Sequence, residues 1–463
     1  MQSTGALWPY IKKYLDQNKE FVRKIGRIAV PIALQSIVMS LLNMMDQVMV
    51  GQLGEKSIAA VGMSNRVISI LMFGLNAVAA GVSVYTAQFW GKNETEKIGY
   101  LMWIGILTGT VISGAFAALA VFFPEFCIGI FTGDKEVIRQ GTVFIKMAAF
   151  SFIPAMLTIM YSSVLRSTGN VKLPVIVSII SVMLDVILNY LLIFGKFGFP
   201  EMGLRGAAVS TVIARIAEFL AIFFITHRRK LPAAFSLRQL RSLPQKMLFS
   251  FFNTTYPFIF NEFLWILGET VYNIIYGRIG TAEYTAVAIT SPVQGIMMGA
   301  LSGLAGAASV ILGNEIGAGE EDRVELYARK FIRFGVSLSV FLSIVIILLS
   351  KLYVGVYNVS EETGRYAEYL MFAFAFFLWV KVSNMIIGSG VLSSGGDSRY
   401  ILVMESSTTW LFGVPSGIIA AFVLHLPVYG VYIILSCEEI IRFGIGLRRV
   451  YSRKWIKNLI SNL

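Results

Sequence analysis

Charge is scarce in this chain of 463 residues: only 14% of it is Asp, Glu, Lys or Arg, against about 25% in soluble domains. That scarcity excludes an ordinary soluble protein. Cysteine is scarcer still. The two present, Cys127 and Cys437, sit in separate apolar segments, which provides neither a disulfide framework nor a metal site. Two histidines, His227 and His425, argue against zinc chemistry. Neither Gly91-Lys92 nor Gly195-Lys196 completes the GxxxxGK[ST] pattern, so the chain has no P-loop and gives no sign of ATP as an energy source. No cleavable signal pattern precedes the first apolar run. Sustained polar–apolar alternation, the mark of a membrane barrel, is missing as well.

What is present is hydrocarbon. Hydrophobic residues make up 56% of the chain, in runs of about twenty, the length that crosses a bilayer as helix. Breaks at charged, Gly or Pro residues predict an all-α integral membrane protein of twelve transmembrane helices. The first six lie near 28–50, 58–90, 98–122, 137–161, 171–194 and 203–226. The second six lie near 250–276, 284–313, 329–350, 365–392, 399–423 and 427–447. The net charge of +12 is explained by topology rather than by a nucleic-acid partner. Lys12, Lys13, Lys19, Arg23 and Lys24 precede the first span, "HRRKLPAAFSLRQLRSLPQK" follows the sixth, and "RRVYSRKWIKN" follows the twelfth. The opposite loops, "GQLGEKS" and "LHLPVYG", are nearly free of positive charge. The positive-inside bias places both termini in the cytoplasm, and the compactness of the chain and its lack of targeting extensions lead to the expectation of a multi-pass protein in a prokaryotic plasma (cell) membrane. The basic loop after span six is also suited to anionic membrane lipid.

The strongest organisational signal is an internal repeat. A shift of 226 residues lays Pro31 on Pro257, Gly51 on Gly277, Gly54 on Gly280 and Gly91 on Gly317 without a gap. "LRSTGNVKLPV" returns as "LSSGGDSRYIL" at a shift of 227. Six spans are duplicated, giving two six-helix lobes, 1–235 and 236–463. Repeats with an even number of spans keep one orientation and pair about an axis along the membrane normal, with a V-shaped cleft between them.

Those residues resemble a known family. Pro31 ahead of Asp46 and "VGQLG", the "LRSTGN" loop, "GLRGAAVST" and the matching second half are similar to the multidrug and toxic compound extrusion transporters. The resemblance implies twelve helices in a V, and a cation-coupled antiporter, driven by H+ or Na+, that exports cationic amphiphilic drugs or toxic organic compounds by alternating access. The expected partners are small organic cations and membrane lipids, with no cofactor and a monomeric chain. The resemblance also implies Asp46 as the coupling acid, with Asp185, Asn189 and Thr211 around it, on a first helix able to bend at Pro31.

The residues themselves support a site there. A carboxylate within a span costs several kcal/mol, so Asp46 and Asp185 mark function ahead of packing. By spacing alone Asn43 lies one turn from Asp46, and Ser181 and Asn189 lie four residues either side of Asp185. Such oxygens suit a proton, or Na+ held by Asp46 and Asp185, equally well. Asp46 lies about 7 Å from the outer end of its span and Asp185 about twice as deep, so they meet only through tilt or bending. In the second half Asp46 falls on Tyr272 and no acid matches Asp185. "NEFLWILGE" offers Glu262 and Asn261 as substrate-binding candidates, with Glu262 paired to Lys381 or structural. Glu269 is a further acid on this span. Span ten lacks the aspartate that one branch of the family carries, which leaves a second ion site in doubt. Arg215 with Glu218, and Glu438 and Glu439 with Arg442, are expected to pair within their helices. The aromatic run "MFAFAFFLW" reads first as packing, and Gly299 and Gly303 read as a close helix crossing.

Other readings are a flippase for a lipid-linked sugar or peptidoglycan precursor, for which the spans offer few cations, and a channel or receptor. No nucleophile–base pair within the spans suggests an enzyme.

Overall fold

A computed structural model describes residues 7–461 and 463; the side chains of residues 7–20 and of Leu237 lie outside the description, and with them Lys12, Lys13 and Lys19. No strand occurs among the described residues, and twelve long helical rods run the length of the molecule. They are α1 (Leu7–Gly51), α2 (Glu55–Gly91), α3 (Thr95–Phe122), α4 (Lys135–Ser167), α5 (Lys172–Phe194) and α6 (Leu204–Arg228). The second half holds α7 (Gln245–Ile279), α8 (Thr281–Ala318), α9 (Glu321–Val354), α10 (Glu361–Leu392), α11 (Ser398–Val423) and α12 (Val428–Tyr451). Each corresponds to one of the twelve expected spans. Ten are long and apolar enough to cross a membrane by composition alone. The other two, α7 and α12, carry Glu262 and Glu269, and Glu438, Glu439 and Arg442, the polar residues that lower their hydropathy.

Local chemistry sets many of the ends. Asp134 caps α4 by accepting from the amides of Glu136 and Val137 at 2.8 and 3.3 Å, and Ser360 caps α10 through Thr363 N–H at 3.2 Å. The turn from α4 to α5 needs a left-handed residue, supplied by Gly169 at φ +83°. Its repeat mate Gly396, between α10 and α11, has φ +67°. Only glycine enters that region without a Cβ penalty, so the duplicated "STGN"/"SGGD" glycines are one backbone solution used twice.

The halves are not identical in detail. Helices α10 and α11 widen into π turns at Ile386–Leu392, Thr409–Gly413 and Ile419–Val423. The described first-half rods depart from α geometry at a 3-10 turn, Ala149–Ser151 of α4. Helix α1 stays continuous through Pro31. The halves also exchange ends: Phe21, Ile25 and Ile28 of α1 pack in the second half's core, and Met247 and Phe251 of α7 pack in the first half's.

At the end bearing the long α6–α7 loop, hereafter the basic end, the halves close on each other. A Cβ on Gly91 would fall 1.9 Å from the Asn314 carbonyl oxygen, and one on Gly317 would fall 1.9 Å from that of Gln88. Each contact is the other's repeat counterpart, so the closure lies on the pseudo-twofold axis. Further along, Gly303 meets the Ala29 carbonyl at 2.5 Å from an added Cβ, and Gly299 meets Ser36. The expected close crossing is therefore real, and it joins α8 to α1. Away from this end the halves line a shared cavity of about 510 Å3, the base of the V.

Candidate ion-coupling site

Asp46 lies half-buried on α1, one and a half turns before its end. The Asn189 amide on α5 donates to Asp46 Oδ1 at 3.0 Å. Ser210 on α6 donates in turn to Asn189 Oδ1, through a short bond, so the amide stands between the hydroxyl and the acid. Three helices thus converge on one carboxylate. Asp185, one turn from Asn189 toward the basic end, keeps its Oδ1 buried with no hydrogen-bond partner among the described residues. Arg215 lies within electrostatic reach of both acids, although its own ion pair is with Glu218 at 2.8 Å.

Asp46 and Asn189 therefore meet directly, and Asp185 stands one turn further in, the order expected from their depths. Ser181 is buried on the same helix but donates to the Ala214 carbonyl at 2.9 Å, tying α5 to α6. Thr211 bonds its own helix at Ala207 O, 3.0 Å. Asn43 is exposed and makes no side-chain hydrogen bond among the described residues. Ser210 was not singled out from sequence. Its signal was the hydroxyl beside Thr211 in "AVST", shortly after the small residues Gly206, Ala207 and Ala208.

In the second half, Asn261 donates to Glu405 on α11 at 2.7 Å, and Glu262 is within electrostatic reach of the same acid. Glu405, an intramembrane acid in "VMESST", belongs beside them and was missed. Lys381 pairs with Glu439 at 3.6 Å, not with Glu262. Lys381 and Glu439 lie on adjoining helices α10 and α12, whereas Glu262 turns toward α11. Arg442 spans Glu438 at 3.0 Å and Glu439 at 3.5 Å, as expected from helical spacing. The same guanidinium reaches Thr409 at 2.9 Å, at the π turn of α11. Tyr272, the repeat counterpart of Asp46, donates to Glu438 at 2.8 Å. Where the first half has an exposed-edge acid, the second has a closed ionic cage around a cavity of about 200 Å3. Buried ion pairs of this kind hold together only while every partner is present.

Among the described residues no group of three or more His, Cys, Asp or Glu side chains is placed to hold a metal ion. The convergence of α1, α5 and α6 is instead suited to binding and releasing a small cation at one or two carboxylates.

The overall arrangement has solved counterparts. A mutant of the Vibrio cholerae MATE transporter VcmN superposes with a TM-score of 0.87 at 17% identity, covering 95% of this chain and 99% of that one. A MATE structure in the bent conformation follows at 0.85 and 16%, covering 94% and 96%. Among curated sequences, the chain is 23% identical to the uncharacterized transporter YisQ of Bacillus subtilis over 92% of this chain and 93% of that protein. It is 24% identical to the probable multidrug resistance protein NorM of Thermotoga maritima over 97% of each. The MatE family model matches twice, at residues 31–191 and 257–419, starting at the two prolines that the repeat superposes. An all-helical, two-lobed membrane protein with that double match belongs to the MatE family, the multidrug and toxic compound extrusion transporters.

Proposed function

We propose that this transporter is a proton-coupled antiporter that exports cationic amphiphilic compounds from the cytoplasm, with the coupling proton carried by the Asp46–Asp185 pair. The observation that carries the reading is the Asp46–Asn189–Ser210 chain beside the partnerless buried oxygen of Asp185. Asn189 presents a donor NH2 to Asp46, where a sodium ion would require oxygen. A proton, by contrast, removes the charge from a carboxylate whose Oδ1 is buried without a partner among the described residues. The positive-inside bias supports a basic end on the cytoplasmic side, and a molecule closed at that end faces outward. In this state drug leaves the V-shaped cleft and the acids take up a proton. Return to the inward-facing state discharges the proton and reloads drug. The halves 1–235 and 236–463 act as the two moving bodies of a monomer. Glu262, Asn261 and Glu405 supply negative charge for an organic cation in the second half.

The flippase reading is not favoured. Arg215 is neutralised by Glu218, which leaves Arg166, bound to the neutral Gln35 at 2.9 Å, as the one uncompensated cation among the described residues lining the shared cavity, where a pyrophosphate calls for several. The relatives' names point the same way.

The test is efflux of a fluorescent cationic dye from everted vesicles, with a pH gradient and a sodium gradient applied separately. Parent protein is expected to move dye under the pH gradient alone, and Asp46→Asn to insert normally but lose that transport. Drive by sodium alone would replace the proton in this scheme. Parental transport by Asp46→Asn would remove Asp46 from it.

A further inference from the structure

A second cleft, of about 770 Å3, opens at the basic end between α1, α5 and α6. Its walls are apolar, formed by Ile176, Val177 and Ile180 of α5 and by Ala221 and Ile225 of α6. Its rim is basic. Arg27 comes from α1, Lys172 from the first position of α5, and Arg229 from the residue that ends α6. All three are exposed, and none has an ion pair or side-chain hydrogen bond among the described residues. The one acid on the wall, Glu218, is hidden: its carboxylate accepts from Ser178 at 2.6 Å and pairs with Arg215, leaving the side chain 2% exposed.

Two chemistries meet in this cleft. An apolar slot between membrane helices is filled by hydrocarbon, and three free cations at its mouth attract phosphate. A cationic amphiphile, the class proposed above as cargo, fits the slot but is repelled by the rim. A soluble anion is attracted by the rim but leaves the slot unfilled. An anionic amphiphile satisfies both. We infer that this cleft binds an anionic phospholipid, with its phosphate on Arg27, Lys172 and Arg229 and an acyl chain along α5. The three cations come from segments far apart in sequence, so no single basic run accounts for them. The floor of the cleft reaches Ser181 and Leu184, the turn before Asp185, and Glu218 holds Arg215 behind it. An occupied cleft therefore braces the helices that carry the acid pair. The assignment of the lipid to the cytoplasmic leaflet rests on the topology proposed above; the binding itself does not.

The test uses the full chain in detergent, incubated with phosphatidylglycerol or with phosphatidylcholine of the same acyl chains. Native mass spectrometry then counts the lipid retained. Phosphatidylglycerol is expected to be kept at least five-fold over phosphatidylcholine. The triple variant Arg27→Ala, Lys172→Ala, Arg229→Ala should lose that preference, and Ile180→Trp, which fills the slot but spares the rim, should lose it too. Asp46→Asn should keep it, which separates failure of this site from failure of the coupling scheme. Equal retention by parent and triple variant would overturn the site. Undiminished retention by Ile180→Trp would overturn the seating of the acyl chain. Full displacement by millimolar glycerol phosphate would make it a phosphate site rather than a lipid site.

Discussion

Asn189 does two jobs with one amide: its NH2 faces Asp46 and its oxygen is held by Ser210. Removing it leaves Asp46 without its neutral donor while taking no charge from the membrane interior. A hydrogen bond to a charged group contributes about 1.5–3 kcal/mol, so Asn189→Ala is expected to reduce pH-driven dye efflux on the order of ten-fold or more. Its unfolding temperature should fall modestly, as for the loss of one buried hydrogen-bonded side chain, with insertion unaffected. Ser210→Ala, which frees the amide to rotate without removing it, should show a smaller loss in the same vesicle assay. Efflux by Asn189→Ala with the parent's rate and pH profile would reduce the residue to interhelical glue. This residue was legible as a candidate from its spacing to Asp185. Its bond to Asp46, 143 residues away, was not.

Helix α1 shows how small residues position that acid. Gly303 of α8 lies so close to Ala29 that an added Cβ would be 2.5 Å from the carbonyl oxygen. Gly303→Val therefore forces α1 and α8 apart, and such overpacking costs about 1–3 kcal/mol. The expected result is a clearly lowered unfolding temperature in detergent, together with weaker efflux as Asp46 is displaced from Asn189. Gly26, on the same α1 helix, has nothing within 4 Å of an added Cβ. Gly26→Ala is thus the matched control, neutral or slightly stabilising because alanine loses less backbone entropy in a helix. A Gly303→Val protein as stable as the parent would show that the crossing yields freely. The helices themselves were legible because a span of twenty apolar residues has few alternatives in a bilayer. The π turns of α10 and α11 were not; one of them presents Thr409 to Arg442 of α12, a contact between segments far apart in sequence.

At the scale of the molecule, closure of the basic end is reinforced by the segment after α12. Trp455 is 1% exposed in the second half's core, and Ile460 is fully buried in the first half's. Between them Gln88 of α2 donates to the Ser394 and Lys457 carbonyls at 3.0 and 3.1 Å and accepts from Leu459 N–H at 2.9 Å. Asp397 binds Arg449 at 2.7 Å and Lys457 at 2.6 Å. One short segment thus bolts both lobes together where the basic end is closed. Trp455→Ala should loosen that bolt. With Cys127→Ala and Cys437→Ser as background, thiol labelling of Asn314→Cys at the closure is expected to rise several-fold when Trp455 is removed. Unchanged labelling would mean that the reciprocal glycine contacts close this end unaided.

The chain by itself determined the spans, their number, the duplication and the placing of two acids within hydrocarbon. Each follows from local composition and from the high free energy of a polar group in lipid. It also marked the glycine pair at the α4–α5 and α10–α11 turns, because a left-handed turn narrows the choice of residue. Only the tertiary structure decided which polar groups meet: Asn189 with Asp46, Tyr272 with Glu438, and Lys381 with Glu439 rather than Glu262. Those pairings depend on the tilt and rotation of whole helices. Tilt and rotation are set by apolar faces and small residues packing across the molecule, and no local stretch of sequence contains them.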